Sequence, residues 1–242
     1  MIKNIITKIV KKKNPNFQMD KAVSTEMIFE VIFEKAFQKA RVLKLLFRGR
    51  WVSNLFLGKG VQLFNLSNIK FGKWVQLEDQ VRVSALGSQM LIFGDNVKIG
   101  AFSRVIVSTS FNQIGAFIQI GNNVGIGEFS YLGGGGGLEI GDDCIIGQYF
   151  SCHPENHNFR KSHQLIRLQG VTRKGIRIGK NCWIGAKVTI LDGVEIGDNC
   201  VIAAGSVVNK NIPSNSVVGG VPARIIKKTT TPNIPKLTLI SN

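Results

Sequence analysis

Hydrophobic residues in the second half of the chain recur every sixth position, a spacing that matches neither the 3.6-residue period of a helix nor the two-residue alternation of a half-buried strand. The series runs Ile178, Ile184, Ile190, Ile196, Ile202 and Val208. Four of its members, Ile178, Ile184, Ile196 and Ile202, are followed directly by Gly or Ala. Position five of each unit carries a small or β-branched side chain: Cys182, Val188, Val194, Cys200 and Ser206. The same unit appears upstream at Phe93 and Ile99, at Ile114, Ile120 and Ile126, at Ile140 and Ile146, and more loosely at Phe71 and Leu77. There the fifth positions are Val75, Val81, Val97, Ser103, Ile118, Val124, Ser130 and Cys144, with Phe150 the one bulky exception. This pattern predicts a short strand followed by a corner. Positions one and five point into one narrow core, and the small residue at position two lets the backbone bend where a Cβ would crowd.

The unit resembles the repeat of the hexapeptide-repeat family, in which about three hexads close one triangular coil and coils stack at the parallel-strand spacing of about 4.8 Å. The fold this implies is all-β: a left-handed parallel β-helix with an N-terminal helical extension and a long mid-chain loop. Cys182 and Cys200 stand 18 residues apart and are expected in one stacked column. The domain reading is an extension over 1–57, the β-helix over 58–228 and a tail over 229–242. The register slips between Val83 and Phe93, before Ile114, and before Ile140 beside Gly133–Gly137, as small insertions at corners do. One interruption is far larger, over 152–177, and in a solenoid such an excursion is where function concentrates.

Composition fits a folded domain, with 44% hydrophobic residues in 242. The net charge of +16 is concentrated at the ends: residues 1–50 carry 12 Lys/Arg against 4 acids, residues 205–242 carry 5 against none, and the remainder is nearly balanced at 14 against 11. Such ends suit a phosphate-bearing ligand, anionic lipid or nucleic acid; the last is not expected, because no finger, RNP or helix-turn-helix pattern accompanies the charge. No apolar run reaches the roughly 18 residues of a membrane helix, and lysines interrupt Met1–Lys13 where a signal peptide would be apolar, so a cytoplasmic location is expected. Val23–Phe47 predicts an amphipathic helix with two readings, a cap on the first coil or a basic anchor at the inner face of the membrane. The tail Thr229–Asn242 has two prolines and no hexads, and is expected to wrap or fray. Four cysteines, Cys144, Cys152, Cys182 and Cys200, lack paired C-x-x-C spacing and read as small buried residues.

All three histidines, His153, His157 and His163, fall in the one long excursion. Histidine is the side chain whose ordinary pKa suits proton transfer near neutrality. Asn156-His157-Asn158-Phe159 resembles the Asn-His or Thr-His-Pro loop of sugar and xenobiotic hexapeptide acetyltransferases. Ile178 to Ala186 is similar to their IGxxxWIGA segment, and Val201–Val208, Pro213 and Gly219–Arg224 to their AAGSVV, P and GxPA[KR] ending. The resemblance covers roughly 58–228 and is strongest in the second half. It implies an acetyl-CoA-dependent O-acetyltransferase acting on a sugar hydroxyl of a surface polysaccharide or its precursor, working as a homotrimer without a metal. His157 is then the general base, with His153 the competing candidate. Asn156, Glu155 and His153 are placed at the acceptor. Along coenzyme A the resemblance sets Trp183, Ala186, Ala204, Gly205, Ser206 and Pro222, with Arg224, Lys227 and Lys228 on its phosphates. Cys152 enters as the nucleophile of a ping-pong alternative. Other functional readings are acetylation of an amino sugar, a drug or serine, a zinc hydratase of the γ-carbonic-anhydrase type, and a silent scaffold. The hydratase needs histidines converging from separate coils, whereas these share one loop.

Overall fold

The six-residue period is realised as strands of two or three residues centred on positions six and one of each hexad, some starting at position five and others running on to position two, with the corner between them. The computed structural model describes residues 2–11, 16–52 and 54–229, and the chain divides into two units, Met1–Trp51 and Val52–Asn242. The tail read from Thr229 lies, from residue 230 onward, outside the described residues.

In the second unit the described strands form three parallel sheets of nine, seven and six strands, visited in that order by each turn of the chain. The first sheet opens with Leu55–Leu57, paired to Val75–Leu77, and closes with the antiparallel pair Ser216–Gly220 and Ala223–Lys228. Ile145 pairs with Trp183 and Trp183 with Val201, which stacks the preceding cysteines Cys144, Cys182 and Cys200 in one column. All four cysteines are buried. The thiols of Cys144 and Cys182 donate to the Gly179 and Gly197 carbonyls of the next coil at 3.2 and 3.3 Å. Every aliphatic from Ile178 to Val208 at position one is buried, as are the fifth positions.

Two expectations need correction. Ile114 is 42% exposed: it belongs to an insertion, and the strand begins only at Ile118. The bend does not sit at position two either. Positive φ occurs at position four, for instance 59° at Lys187 and 72° at Gly205. The small residue at position two is instead required by close stacking, since a Cβ on Gly185 would lie 2.5 Å from the Ala204 amide nitrogen of the next coil.

In the first unit, α1 (Ile2–Lys11) places Ile2, Ile5, Ile6 and Ile9 at helical spacing, a helix the six-residue reading does not anticipate. α2 (Thr25–Ala40) starts at Ser24, whose hydroxyl accepts the Met27 N–H at 3.1 Å. A 3-10 helix (Arg41–Arg48) follows and ends at Gly49, where φ is 68°. The helix expected over Val23–Phe47 is thus two consecutive segments. Among the described residues no helix is long and apolar enough to cross a membrane.

Candidate active site

All of the register slips and the long excursion leave the coil at the same corner, from the seven-stranded to the six-stranded sheet. The departures are after Ser84, Ile106, Gly133 and His153, and the chain returns at Leu91, Ile118, Leu138 and Ile176. Stacked on one edge, these bulges press together. A Cβ on Gly134 would fall 2.7 Å from Ile118 Cγ1, which accounts for part of the glycine run. Arg173, late in the excursion, ties the layers: its Nε donates to Glu155 at 3.0 Å, and its two terminal nitrogens donate to the Ile114 and Gln113 carbonyls at 2.9 and 3.3 Å. Asp192 fixes the return, its Oδ1 accepting the Lys174 and Gly175 amides at 2.8 and 2.9 Å.

His153 ends the strand Ser151–His153 and is therefore held by the coil itself. Its Nε2 lies 2.6 Å from the Ser151 hydroxyl, and its ring stacks on Tyr131 with centroids 5.4 Å apart. His153 and Tyr131, with Glu155, Arg173, Ser108 and Ser110, border a cleft of about 130 Å³. Burial, then the Glu155 charge, pushes the Tyr131 phenol above its ordinary pKa. Between Ser151 and His153 the side chain of Cys152 points into the core, fully buried, and burial raises its thiol well above the ordinary range. A nucleophile must be ionised and reachable, so the ping-pong role considered for Cys152 is withdrawn.

His157 sits outside the coil, on a two-stranded antiparallel ribbon in which Asn156 faces Thr172 and His157 faces Val171. It is exposed and borders an open depression of about 580 Å³ with Asn156, Phe159, Lys161 and Lys174. The Asn156 amide donates to Asp192 Oδ2 at 3.3 Å, anchoring the ribbon to the coil. His163 is exposed near the loop tip.

The residues expected along coenzyme A gather at another corner, between the nine- and seven-stranded sheets. Ala186 and Gly205 are stacked, the Gly205 amide donating to the Ala186 carbonyl at 2.8 Å, and Ala204 and Gly205 are exposed. Ser206 departs from its expected role: it is fully buried, its hydroxyl donating to the Ala203 carbonyl at 2.6 Å and accepting the Gly220 amide at 3.2 Å. Its contribution is to tie the corner to the terminal hairpin. On that hairpin Pro222 lies at the turn, after a cis Val221–Pro222 bond, and Arg224, Lys227 and Lys228 are exposed opposite Gly219, Val217 and Ser216. Trp183 stands on the outer face of the nine-stranded sheet, 60% exposed.

The structure therefore assembles two clusters without joining them. His153 pairs in register with Leu191, five residues and one corner beyond Ala186. Sequence reasoning missed Ser151, Tyr131, Arg173 and Asp192. Tyr131 and Ser151 did leave a signal, since they occupy the same slot 20 residues apart; Arg173 left none. Among the described residues no group of three or more His, Cys, Asp or Glu is placed to hold a metal ion.

Comparison with known proteins agrees with this architecture. Residues 175–210 match the family described as bacterial transferase hexapeptide (six repeats). The chain is 39% identical over 95 residues to the galactoside O-acetyltransferase of Escherichia coli K12, covering 38% of this chain and 44% of that protein. It is 30% identical over 176 residues to a provisionally named acetyltransferase of Mycobacterium tuberculosis, covering 72% and 49%. The chain thus spans about half the length of these two relatives. WbbJ of Escherichia coli K12, provisionally named a lipopolysaccharide biosynthesis O-acetyl transferase, is 30% identical over 143 residues, covering 56% of this chain and 70% of WbbJ. A single-substitution mutant of the N-acyltransferase AntD of Bacillus cereus, solved with dTDP and coenzyme A, shares the fold with a TM-score of 0.50 at 21% identity, covering 73% and 81%. Repeat, coil and relatives agree, and the chain belongs to the hexapeptide-repeat acetyltransferase family.

Proposed function

We propose that this chain transfers the acetyl group of acetyl-CoA to a hydroxyl of a carbohydrate, a unit of a surface polysaccharide or its precursor, in the cytoplasm. The observation that carries the reading is the presence, on one prism, of a histidine-bearing edge and a small-residue corner flanked by cations. Ala186, Ala204 and Gly205 would let a pantetheine arm approach the backbone, and Arg224, Lys227 and Lys228 would meet phosphates. The family and the sugar-hydroxyl activity named for the galactoside relative support O-acetylation; the name of WbbJ supports a surface glycan. An amino sugar, a drug or serine as acceptor would keep the same steps.

In this mechanism His157 accepts the acceptor hydroxyl's proton as the oxygen attacks the thioester carbon. The tetrahedral oxyanion, held by a corner N–H, collapses with cleavage of the C–S bond, and the imidazolium returns its proton to the departing thiolate. Asn156 and Glu155 are assigned to the acceptor. A second reading makes His153 the base, favoured by one observation: its Nε2 is already 2.6 Å from the Ser151 hydroxyl on a rigid strand, while His157 rides on an exposed ribbon.

Because the two clusters occupy different corners, the active assembly is proposed to be a homotrimer in which the histidine edge of one chain meets the coenzyme corner of the next. Acetyl-CoA consumption across sugars and sugar nucleotides tests the activity; no turnover with any hydroxyl acceptor would refute it. Light scattering should give three times the 26.6 kDa chain mass. Mixing His157→Ala chains with chains in which the Arg224 region is disrupted by replacing Arg224, Lys227 and Lys228 together, at acetyl-CoA concentrations where neither turns over alone, should restore some turnover, and a fully active monomer would refute the shared site.

A further inference from the structure

The first unit carries more exposed apolar surface than its own small core explains. On α1, Ile5 and Ile9 stay exposed although they lie on the apolar side, with Lys3, Lys8 and Lys11 interspersed. The segment Arg41–Trp51 repeats the combination: Leu43, Leu46, Phe47 and Trp51 are exposed, Phe47 to 94%, among Arg41, Lys44, Arg48 and Arg50. Phe29, Phe33 and Phe37 form a further exposed stripe at four-residue spacing on α2. Exposed apolar side chains in this number on three successive segments point to a docking surface.

The charge distribution identifies the occupant. The four acids of residues 1–50 are Asp20, Glu26, Glu30 and Glu34, so neither α1 nor Arg41–Trp51 contains one. A second copy of this unit would set 12 cations and 4 acids against the same set, a net repulsion, and the chain between 51 and 204, with 14 cations and 11 acids, offers no strongly acidic partner. Burial, and then the neighbouring Arg48 and Arg41 charges, hold Lys44 below its ordinary pKa, a crowding that an anionic headgroup would relieve. Both pieces are too short to span a bilayer, but short basic helices that expose Ile, Leu and Phe, followed by an exposed Trp51, suit its interface.

We infer that the first unit docks on an anionic phospholipid bilayer, with α1 and the Arg41–Trp51 segment entering the headgroup layer. The enzyme proposed above would then work beside lipid-borne acceptors. The inference does not depend on that activity, because vesicle binding is measured without turnover.

The test uses the full chain, sedimented with vesicles of phosphatidylcholine alone and of an equimolar phosphatidylcholine and phosphatidylglycerol mixture. Each cation near an anionic surface raises partitioning about fivefold, so partitioning into the mixed vesicles should exceed that into neutral ones by more than about tenfold and fall as salt is raised. The double variant Ile5→Ser/Ile9→Ser and the single variant Phe47→Ser should each lower partitioning about tenfold or more without changing the melting temperature. Equal partitioning into both vesicle types, or none, overturns the inference. So does a fall in melting temperature of several degrees in these variants with vesicle binding intact, which would place the side chains against another part of the chain. An assembly that the variants dissolve, with no vesicle binding by the parent, would assign the surface to a second copy instead.

Discussion

Separate replacement of the two candidate bases distinguishes them because the structure gives the variants different stability signatures as well as different kinetics. His157 is an exposed side chain on a ribbon held by backbone pairing, so His157→Ala should change stability by less than about 0.5 kcal/mol. That corresponds to a melting shift of about 2 °C or less in a unit of this size. Any large loss of turnover is then chemical: removal of a general base should lower kcat by about 10²–10⁴-fold, with acetyl-CoA affinity retained. His153→Ala removes the hydrogen bond to Ser151 and the stack on Tyr131, each worth about 0.5–1.5 kcal/mol, and should lower the melting temperature by several degrees. If His153 only contacts the acceptor, its loss raises the acceptor KM and leaves kcat within about tenfold. The assay follows thiol release from acetyl-CoA with the best acceptor of the panel, across pH, with melting by calorimetry on the same samples. Loss of the acidic limb of the kcat/KM profile in one variant alone identifies the base. A His153→Ala enzyme without that limb, beside a near-normal His157→Ala enzyme, transfers the role to His153. Normal turnover in both removes His153 and His157 from the role of base.

Four further outcomes follow from particular contacts. Gly185→Val places a side chain where even a Cβ lies 2.5 Å from the Ala204 nitrogen, and should destabilise the coil by about 3 kcal/mol or more; a melting temperature within about 2 °C of the parent would refute the close stacking. Arg224→Ala should raise the apparent KM for acetyl-CoA more than it lowers kcat, and an unchanged KM would remove that residue from the phosphate site. The Asn122 amide, and then Lys180, hold the Asp142 carboxyl below its ordinary value of 3.8, so its stabilisation is present above that value and lost as pH falls through the lower folded pKa. Asp142→Asn should therefore cost less than about 1 kcal/mol at pH 7, with the difference disappearing in strong acid; equal loss at both extremes of pH would contradict the assignment. Arg173→Ala should speed amide exchange over 107–117 by releasing the bonds to Gln113 and Ile114, and unchanged exchange would show that the bulges hold without it.

The coil was legible because its determinants are local and repeated. A side chain at position one or five either fits the narrow core or does not, and Ile178 to Val208 satisfy that requirement six residues at a time. The same logic placed the cysteine column from an 18-residue spacing alone. What the hexads could not show is how irregular segments pack once they leave the coil. Ile114 matched the period but lies in a bulge, because an insertion can carry an aliphatic residue at the right count by coincidence. Arg173 has no partner in its own neighbourhood of the sequence; its carbonyl acceptors at Gln113 and Ile114 lie about 60 residues earlier and meet it only because two bulges share an edge. Ser206 fitted a ligand motif and a core slot equally well, and burial assigns it to the second. α1 escaped notice because lysines interrupt a stretch scanned for a continuous apolar run, whereas its apolar side appears only at helical spacing.

Putting the two clusters on separate corners also explains how one scaffold would hold the coenzyme steady while changing its acceptor. The corner of Ala186, Ala204 and Gly205 lies where the hexad runs without interruption, so its geometry follows from coil stacking and tolerates little change. The opposite holds at the histidine edge. There every turn from Ser84 to His153 already departs from the hexad by a different length, and each bulge meets water on one side. An insertion or deletion at that edge would alter the hollows beside His153 and His157 while leaving the strands on either side in register with their own neighbours. In the proposed trimer the edge of one chain faces the corner of the next, so the shape of the acceptor site is set by bulges that do not touch the residues proposed to bind acetyl-CoA on the same chain. Acceptor choice is then carried by the segments least constrained by folding, and coenzyme choice by those most constrained.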